Sequence, residues 1–257
     1  MEMPLKGFAG CCIMNGADDI IASAENKGVR MFTVPKHQTY ELQTDCKGSW
    51  NISSIETAPD FSATAYYFAT SLSRALRIPV GIICSAYGGS TVEGWISREL
   101  LENYPDISLN PDSIERLHPM LRPMLMYNAM LKPLQNYTIK GFIWYQGESN
   151  VDRRNEYAAL LTVLIADWRS TFDNPELPFY IVELADFLSK DDISGRQAWA
   201  EMRKEQAKVA ETNRNTRLIR NSDLGEWNDI HPLDKKNLGQ RAAESALETD
   251  NKLSLIH

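Results

Sequence analysis

Apolar residues recur at helical spacing between residues 61 and 76, where Phe61, Ala65, Phe68, Leu72 and Leu76 share one face behind a candidate cap at Asp60. A short β-branched run, Ile78 to Cys84, follows at once, so the pattern predicts a helix feeding a buried strand. Lys140 to Tyr145 repeats the strand signal, and residues 154–170 carry Tyr157, Leu160, Leu161, Leu164, Ile165 and Trp168 on one helical face. A strand at Pro178 to Leu184, a charged helix from Gly195 to Glu211, a strand at Thr216 to Asn221 and a closing helix from Pro232 to Glu248 complete the series. Helices alternating with continuous apolar strands predict an α/β fold: a parallel sheet covered on both faces, with the site in loops at the strand C-terminal ends.

Two regions resist this pattern. Residues 1–58 read as mostly irregular with one strand near 29–34, and residues 105–138, rich in Pro and Met, read as a long insertion holding a helix around Met120 to Leu131. No internal repeat, low-complexity block or linker marks a boundary, so one domain over residues 1–257 is expected.

Composition narrows the function. Against 34 Asp plus Glu stand 27 Lys plus Arg, a net charge of −7, which argues against a nucleic-acid partner. The longest uncharged run, Ile78 to Val92, contains three Gly and two Ser, so no membrane span is expected. Met1 to Gly7 shows no basic region followed by an apolar one and reads as no secretion signal. Cysteines at 11, 12, 46 and 84 fit neither a zinc site nor a redox pair, and adjacent Cys11 and Cys12 are poorly placed to bridge each other. No metal, no cofactor and no need for an oxidising compartment are expected.

Three loops stand directly after predicted strands. In Ser85 to Thr91 the pair Gly88-Gly89 lets backbone N–H groups approach a ligand closely, as an oxyanion hole requires, although a Gly-Gly pair alone reads as a tight turn. Tyr145 to Asn150 packs an amide, a carboxylate, a hydroxyl and a second amide together; Asn150 or Gln146 could donate to an oxyanion, or the segment could cap the helix near 154. Asp223 to Pro232 places His231 among carboxylates able to orient an imidazole as general base, where the plain alternative is a surface histidine. His37, His118 and the terminal His257 have no comparable setting, and Trp144, Trp168 and Trp199 fall inside elements as core residues. The charged run Glu201 to Lys208 reads as a solvated helix face.

Taken in order, these segments resemble the sialate O-acetylesterase family of carbohydrate esterases within the SGNH hydrolases. The likeness runs through Gly81 to Ser97, Leu125 to Leu134, Lys140 to Asn150, Asp167-Trp168-Arg169, Leu177 to Leu184, Arg203 to Gln206 and Asp223 to Arg241. The resemblance implies a three-layer flavodoxin-like sheet and hydrolysis of acetyl esters on sugars. It assigns Gly88, Gly89 and Asn150 to the oxyanion hole and His231 to the general base, with Gln146 and Glu148 shaping the pocket. It also implies an acetylated sugar or glycan as the partner and a periplasmic or secreted location.

Two departures go with the match. Family members carry their serine in a Gly-Gln-Ser-Asn-Met turn, and Met1-Glu2-Met3-Pro4-Leu5 is similar to sequence beginning at the last residue of that turn. The expectation is therefore a chain without the nucleophile and the first strand, shortened at the C-terminus too and prone to self-association through an incomplete sheet. A catalytically inactive glycan-binding protein, or a fragment without function, is the alternative. Ser85, Ser90 and Ser149 sit on the oxyanion side and are not expected to substitute. The second departure concerns the acid: three residues before His231 stands Asn228, so Asp229 is the candidate partner, with Asp223 and Glu226 reaching the imidazole only by loop folding.

Overall fold

The computed structural model describes residues 3–8 and 12–254, the last five by backbone alone. Met1, Cys11 and His257, which figure in the sequence reading, lie outside them. Helix α1 (Ala17–Ala22) leads to strands β1 (Asn26–Thr33) and β2 (Trp50–Ser53), then helix α2 (Ala63–Leu76) and strand β3 (Val80–Cys84). Short helices α3 (Arg98–Leu101) and α4 (Pro111–Glu115) precede strand β4 (Phe142–Trp144) and helix α5 (Arg154–Thr171). Strand β5 (Phe179–Val182), helix α6 (Ile193–Thr212), strand β6 (Thr216–Ile219) and helix α7 (Lys235–Ser254) follow.

The strands form two three-stranded sheets, β2-β1-β3 and β4-β5-β6. All neighbours run parallel except β1 and β2, an antiparallel pair in which Met31 faces Asn51. Strand alternation gives both sheets the same two faces. Phe32, Ile83, Phe142, Trp144, Phe179 and Ile181 meet α5 and α6 through Tyr157, Leu164, Trp168, Trp199 and Met202. On the other face Ile82, Ile143, Tyr180 and Val182 meet Phe68 of α2 and Leu238 and Ala242 of α7. The two sheets thus form one layer between two helical layers, as expected, yet no ladder joins β3 to β4 among the described residues. Side chains of both sheets share the same apolar clusters with the covering helices. Residues 80 and 82–84 of β3 and 142–143 of β4 are only half-buried beside the seam between the two strands.

Helices α2 and α7 cross closely at Gly239. A Cβ there would stand 2.8 Å from the Phe68 backbone nitrogen and 2.9 Å from the Thr64 carbonyl oxygen, so only glycine lets the helices approach this far.

Several expectations are corrected. The cap of α2 is Ser62, whose Oγ accepts from Ala65 N at 3.1 Å, while Asp60 instead pairs with Lys6. The helix expected over Met120 to Leu131 is broken into 3-10 turns at Pro119–Leu121 and Lys132–Leu134 around a wide π-type turn at Tyr127–Leu131. Pro123 withholds a donor, and Met124 takes φ 59°, a conformation no helix continues through. The region before residue 58 holds α1 and β2 as well as the expected strand. The run Glu201 to Lys208 is not solvated throughout: Gln206 is fully buried, its Oε1 accepting from Leu184 N at 2.9 Å and its Nε2 facing the Gln146 and Val182 carbonyls at 3.1 and 3.2 Å. Trp144, Trp168 and Trp199 are core residues with their indole N–H groups satisfied at 2.8–3.1 Å. No helix among the described residues is long and apolar enough to cross a membrane.

Asp167 of α5 is buried and accepts from Ser97 N at 2.7 Å, tying the chain after β3 to the helical layer. Burial raises its carboxyl pKa against the opposing Ser97 bonds. The native state therefore keeps this proton to higher pH than the unfolded chain does, and the associated stability falls as pH rises through the carboxylate range. Asp167→Asn keeps an acceptor for Ser97 and removes the charge. Thermal unfolding should show a higher Tm than wild type at about pH 7, with the gap shrinking towards about pH 4; a gap independent of pH contradicts the assignment.

Candidate active site

The loops after β3 and β4 are built as one unit. Ser90 N donates to Tyr87 O at 3.1 Å, closing a turn whose third residue, Gly89, takes φ 76°. A Cβ at 89 would also press on the exposed Met120 side chain, which can swing aside, so it is the positive φ that calls for glycine. Ser149 Oγ donates to Gly89 O at 2.7 Å and Gln146 Nε2 to Ser90 O at 3.0 Å. Asn150, 1% exposed, accepts on Oδ1 from Val92 N at 3.0 Å and from Gln146 Nε2 at 2.7 Å, and its Nδ2 donates to Glu93 Oε2 at 3.1 Å. Glu93, itself buried, is ion-paired with Arg153.

Gln146 and Asn150 therefore spend their polar atoms on each other and on the first loop. Tyr157, whose hydroxyl burial pushes well above its usual range, lies 3.1 Å from both Gln146 oxygens and fixes that side chain from below. Glu148 is half-buried at the start of the 3-10 turn Glu148–Arg153. Gly88 and Gly89 are exposed, and neither N–H has an acceptor among the described residues. Of the nearby hydroxyls, Ser85 Oγ donates to Met130 O at 3.0 Å, Ser149 Oγ to Gly89 O, and Ser90 Oγ accepts from Trp95 Nε1 at 2.9 Å.

The loop after β6 folds back on itself through a bridge between Glu226 and Asp229, which leaves Trp227 and Asn228 exposed at its tip. Asp229 Oδ1 accepts from His231 N at 2.8 Å and lies 2.9 Å from His231 Nδ1. A carboxylate only accepts, so Nδ1 is the donor, and in the neutral imidazole the lone pair is then on Nε2. The Phe8 ring meets the imidazole edge-on at 6.0 Å. Asp223 is held elsewhere, by two 2.6 Å contacts to Arg241, whose hydrogen bonds bring its pKa down to about 2. His118 caps a 3-10 turn through Nδ1, and His37 takes no part in these loops.

The third loop is joined to the second by Tyr145, whose hydroxyl accepts from Lys235 Nζ at 3.0 Å and Asn221 Nδ2 at 3.3 Å. Lys235 is fully buried, and its ammonium stands 4.7 Å from the Tyr145 ring centroid. Cys12 corrects the expectation that the cysteine spacing holds no bridge. It is disulfide-bonded, and its Sγ lies 3.7 Å from Asp229 Oδ2, a contact rather than a hydrogen bond because a disulfide sulfur carries no proton. Only the distance between the two segments in sequence hid this approach.

Residues 8–248 match the family described as carbohydrate esterase, sialic acid-specific acetylesterase. Curated relatives include sialate O-acetylesterases of Rattus norvegicus, 30% identical over 68% of this chain and 40% of theirs, and of Homo sapiens, 29% identical over 69% and 37%. The chain thus spans about two fifths of the length of the curated relatives it matches. The crystal structure of a carbohydrate acetylesterase from Xanthomonas citri superposes with a TM-score of 0.83 at 31% identity, covering 96% of this chain and 53% of that one. A protein from Arabidopsis thaliana shares the fold at a TM-score of 0.56 and 17% identity, over 87% of this chain and 82% of its own.

Asn150→Ala should strand Val92 N, Gln146 Nε2 and Glu93 Oε2 in a buried setting and cost about 2–4 kcal/mol in urea unfolding. Asn150→Asp sets a second carboxylate against Glu93 and should cost at least as much. A loss below about 0.5 kcal/mol for either would show that the two loops are not held by this amide.

Proposed function

The chain belongs to the sialic acid-specific acetylesterase family of carbohydrate esterases, and from that premise we propose that it hydrolyses acetyl esters on sialic acid or related glycans by acyl transfer to a serine-type hydroxyl. The observation that carries this reading is the Asp229–His231 pair, with its Nδ1 fixed and its Nε2 left basic. His231 is the general base that takes the proton of the attacking hydroxyl and returns it to the departing sugar oxygen. Asp229 holds the tautomer and stabilises the imidazolium as it forms. The exposed Gly88 and Gly89 N–H groups receive the oxyanion, each such donor being worth about 3–4 kcal/mol of barrier.

Asn150 serves that hole from behind. Its amide fixes the backbone that presents the glycines, and Gln146 and Glu148 border the same floor. In this reading the nucleophile comes with a segment absent from this chain, whose strand would fill the seam between β3 and β4, where the glycine and amide loops depart. Ser85 and Ser149, whose hydroxyls donate to backbone carbonyls, and Ser90, whose hydroxyl accepts from Trp95 Nε1, are not assigned that part.

Acetate release from an O-acetylated sialic acid, followed against pH in the protein completed by its serine-bearing segment, tests the reading. His231→Ala should lower kcat by about 10²–10⁴-fold with folding retained by circular dichroism. Asp229→Ala should lose most of that factor, whereas Asn228→Ala, at the exposed tip, should stay close to wild type. Full activity in folded His231→Ala across the pH range would overturn the mechanism.

A further inference from the structure

The sulfur of Cys12, a carboxylate oxygen of Asp229 and a ring nitrogen of His231 lie within 4.8 Å of one another, all three residues half-buried. They come from opposite ends of the chain and offer three kinds of donor: sulfur, oxygen and imidazole nitrogen. A tetrahedral zinc ion with Zn–S of about 2.3 Å and Zn–O and Zn–N of about 2.0–2.1 Å needs ligand atoms about 3.3–3.5 Å apart. The Cys12 Sγ to Asp229 Oδ2 distance of 3.7 Å and the Asp229 Oδ1 to His231 Nδ1 distance of 2.9 Å bracket that spacing. The third spacing, from the sulfur to the imidazole nitrogen, lies within 4.8 Å, so the Cys12 side chain must swing inward to close the set, and the half-buried setting leaves a fourth position to water.

While Cys12 is disulfide-bonded its sulfur is a poor ligand, because zinc takes the thiolate. We propose that reduction of this disulfide creates a zinc-type metal site that captures the Asp229–His231 pair. A dithiol reductant supplies two electrons and two protons, closing to its own disulfide while the Cys12 bond opens to two thiols. Binding of the ion then expels the Cys12 thiol proton to solvent and shifts the His231 ring proton from Nδ1 to Nε2, because the ligating nitrogen must offer its lone pair. The metal occupies His231 and Asp229 at once, so the reduced, metal-loaded protein has no free base. The inhibitory part of the proposal rests on the acyl-transfer reading above; the metal site does not.

Cobalt(II) is the probe, because a thiolate bound to it gives a near-ultraviolet charge-transfer band. The protein is reduced with a phosphine, freed of it without air, and titrated beside the oxidised form. Reduced wild type should bind one cobalt ion with the band, and oxidised protein should bind at least tenfold more weakly without it. Reduced Cys12→Ser should lose the band, and reduced His231→Ala should bind at least tenfold more weakly. Equal binding by oxidised and reduced protein, an intact band in Cys12→Ser, or no cobalt binding by reduced wild type overturns the site. In the protein completed by its serine-bearing segment, zinc should abolish acetate release by reduced wild type and spare Cys12→Ser. Cobalt binding with the band but no loss of acetate release would leave the site standing and instead refute His231 as base.

Discussion

A buried carboxylate organises this molecule. Glu93 lies out of water directly after the first candidate loop, where an unpaired charge would be costly, and it is answered by Arg153 and by the amide of Asn150. To meet Glu93, Asn150 must turn its carbonyl towards Val92 and Gln146, and Gln146 must then reach Ser90. One electrostatic demand therefore sets the relative position of two loops that leave different sheets. Tyr157 and Gln206 extend the chain of bonds into the helical layer, so the floor of the site is continuous with the core.

This arrangement explains how a layer with a seam keeps its shape. Strands β3 and β4 exchange no ladder bonds, and their alignment comes from helices that span both sheets and from the loop network at their C-terminal ends. Side-chain amides do here what backbone amides do within a sheet. The glycine turn is held by Ser149 and Gln146 at its carbonyls, while the Gly88 and Gly89 N–H groups have no acceptor among the described residues.

Much of this was legible from the residues. The long helices and four strands of the α/β layer follow from apolar periodicity, because burial on one helical face or both strand faces is the same force that writes the pattern. The three loops were legible because they follow strands. The fine placement was not. Ser62 and Asp60 are both good caps, and only the path of the chain chooses between them. The Met-rich insertion looks helical, but its prolines and the left-handed Met124 break it. Asn150 carries the same amide whether it faces a substrate or Glu93, and residue type alone cannot tell an outward donor from an inward post. The approach of Cys12 to Asp229 has no local signal at all, since 217 residues separate them.

The Gly239 crossing sets a timetable. Helix α2 is complete by residue 76, whereas the helix it grips begins at Lys235, immediately behind the histidine loop. During synthesis the glycine turn and its amide floor can assemble while the imidazole is still to be made, and the loop bearing it is drawn into place only when α7 docks on α2. The position of the histidine loop is thus settled by a contact between the first long helix and the last described one, two segments that meet only after the strands between them have been made.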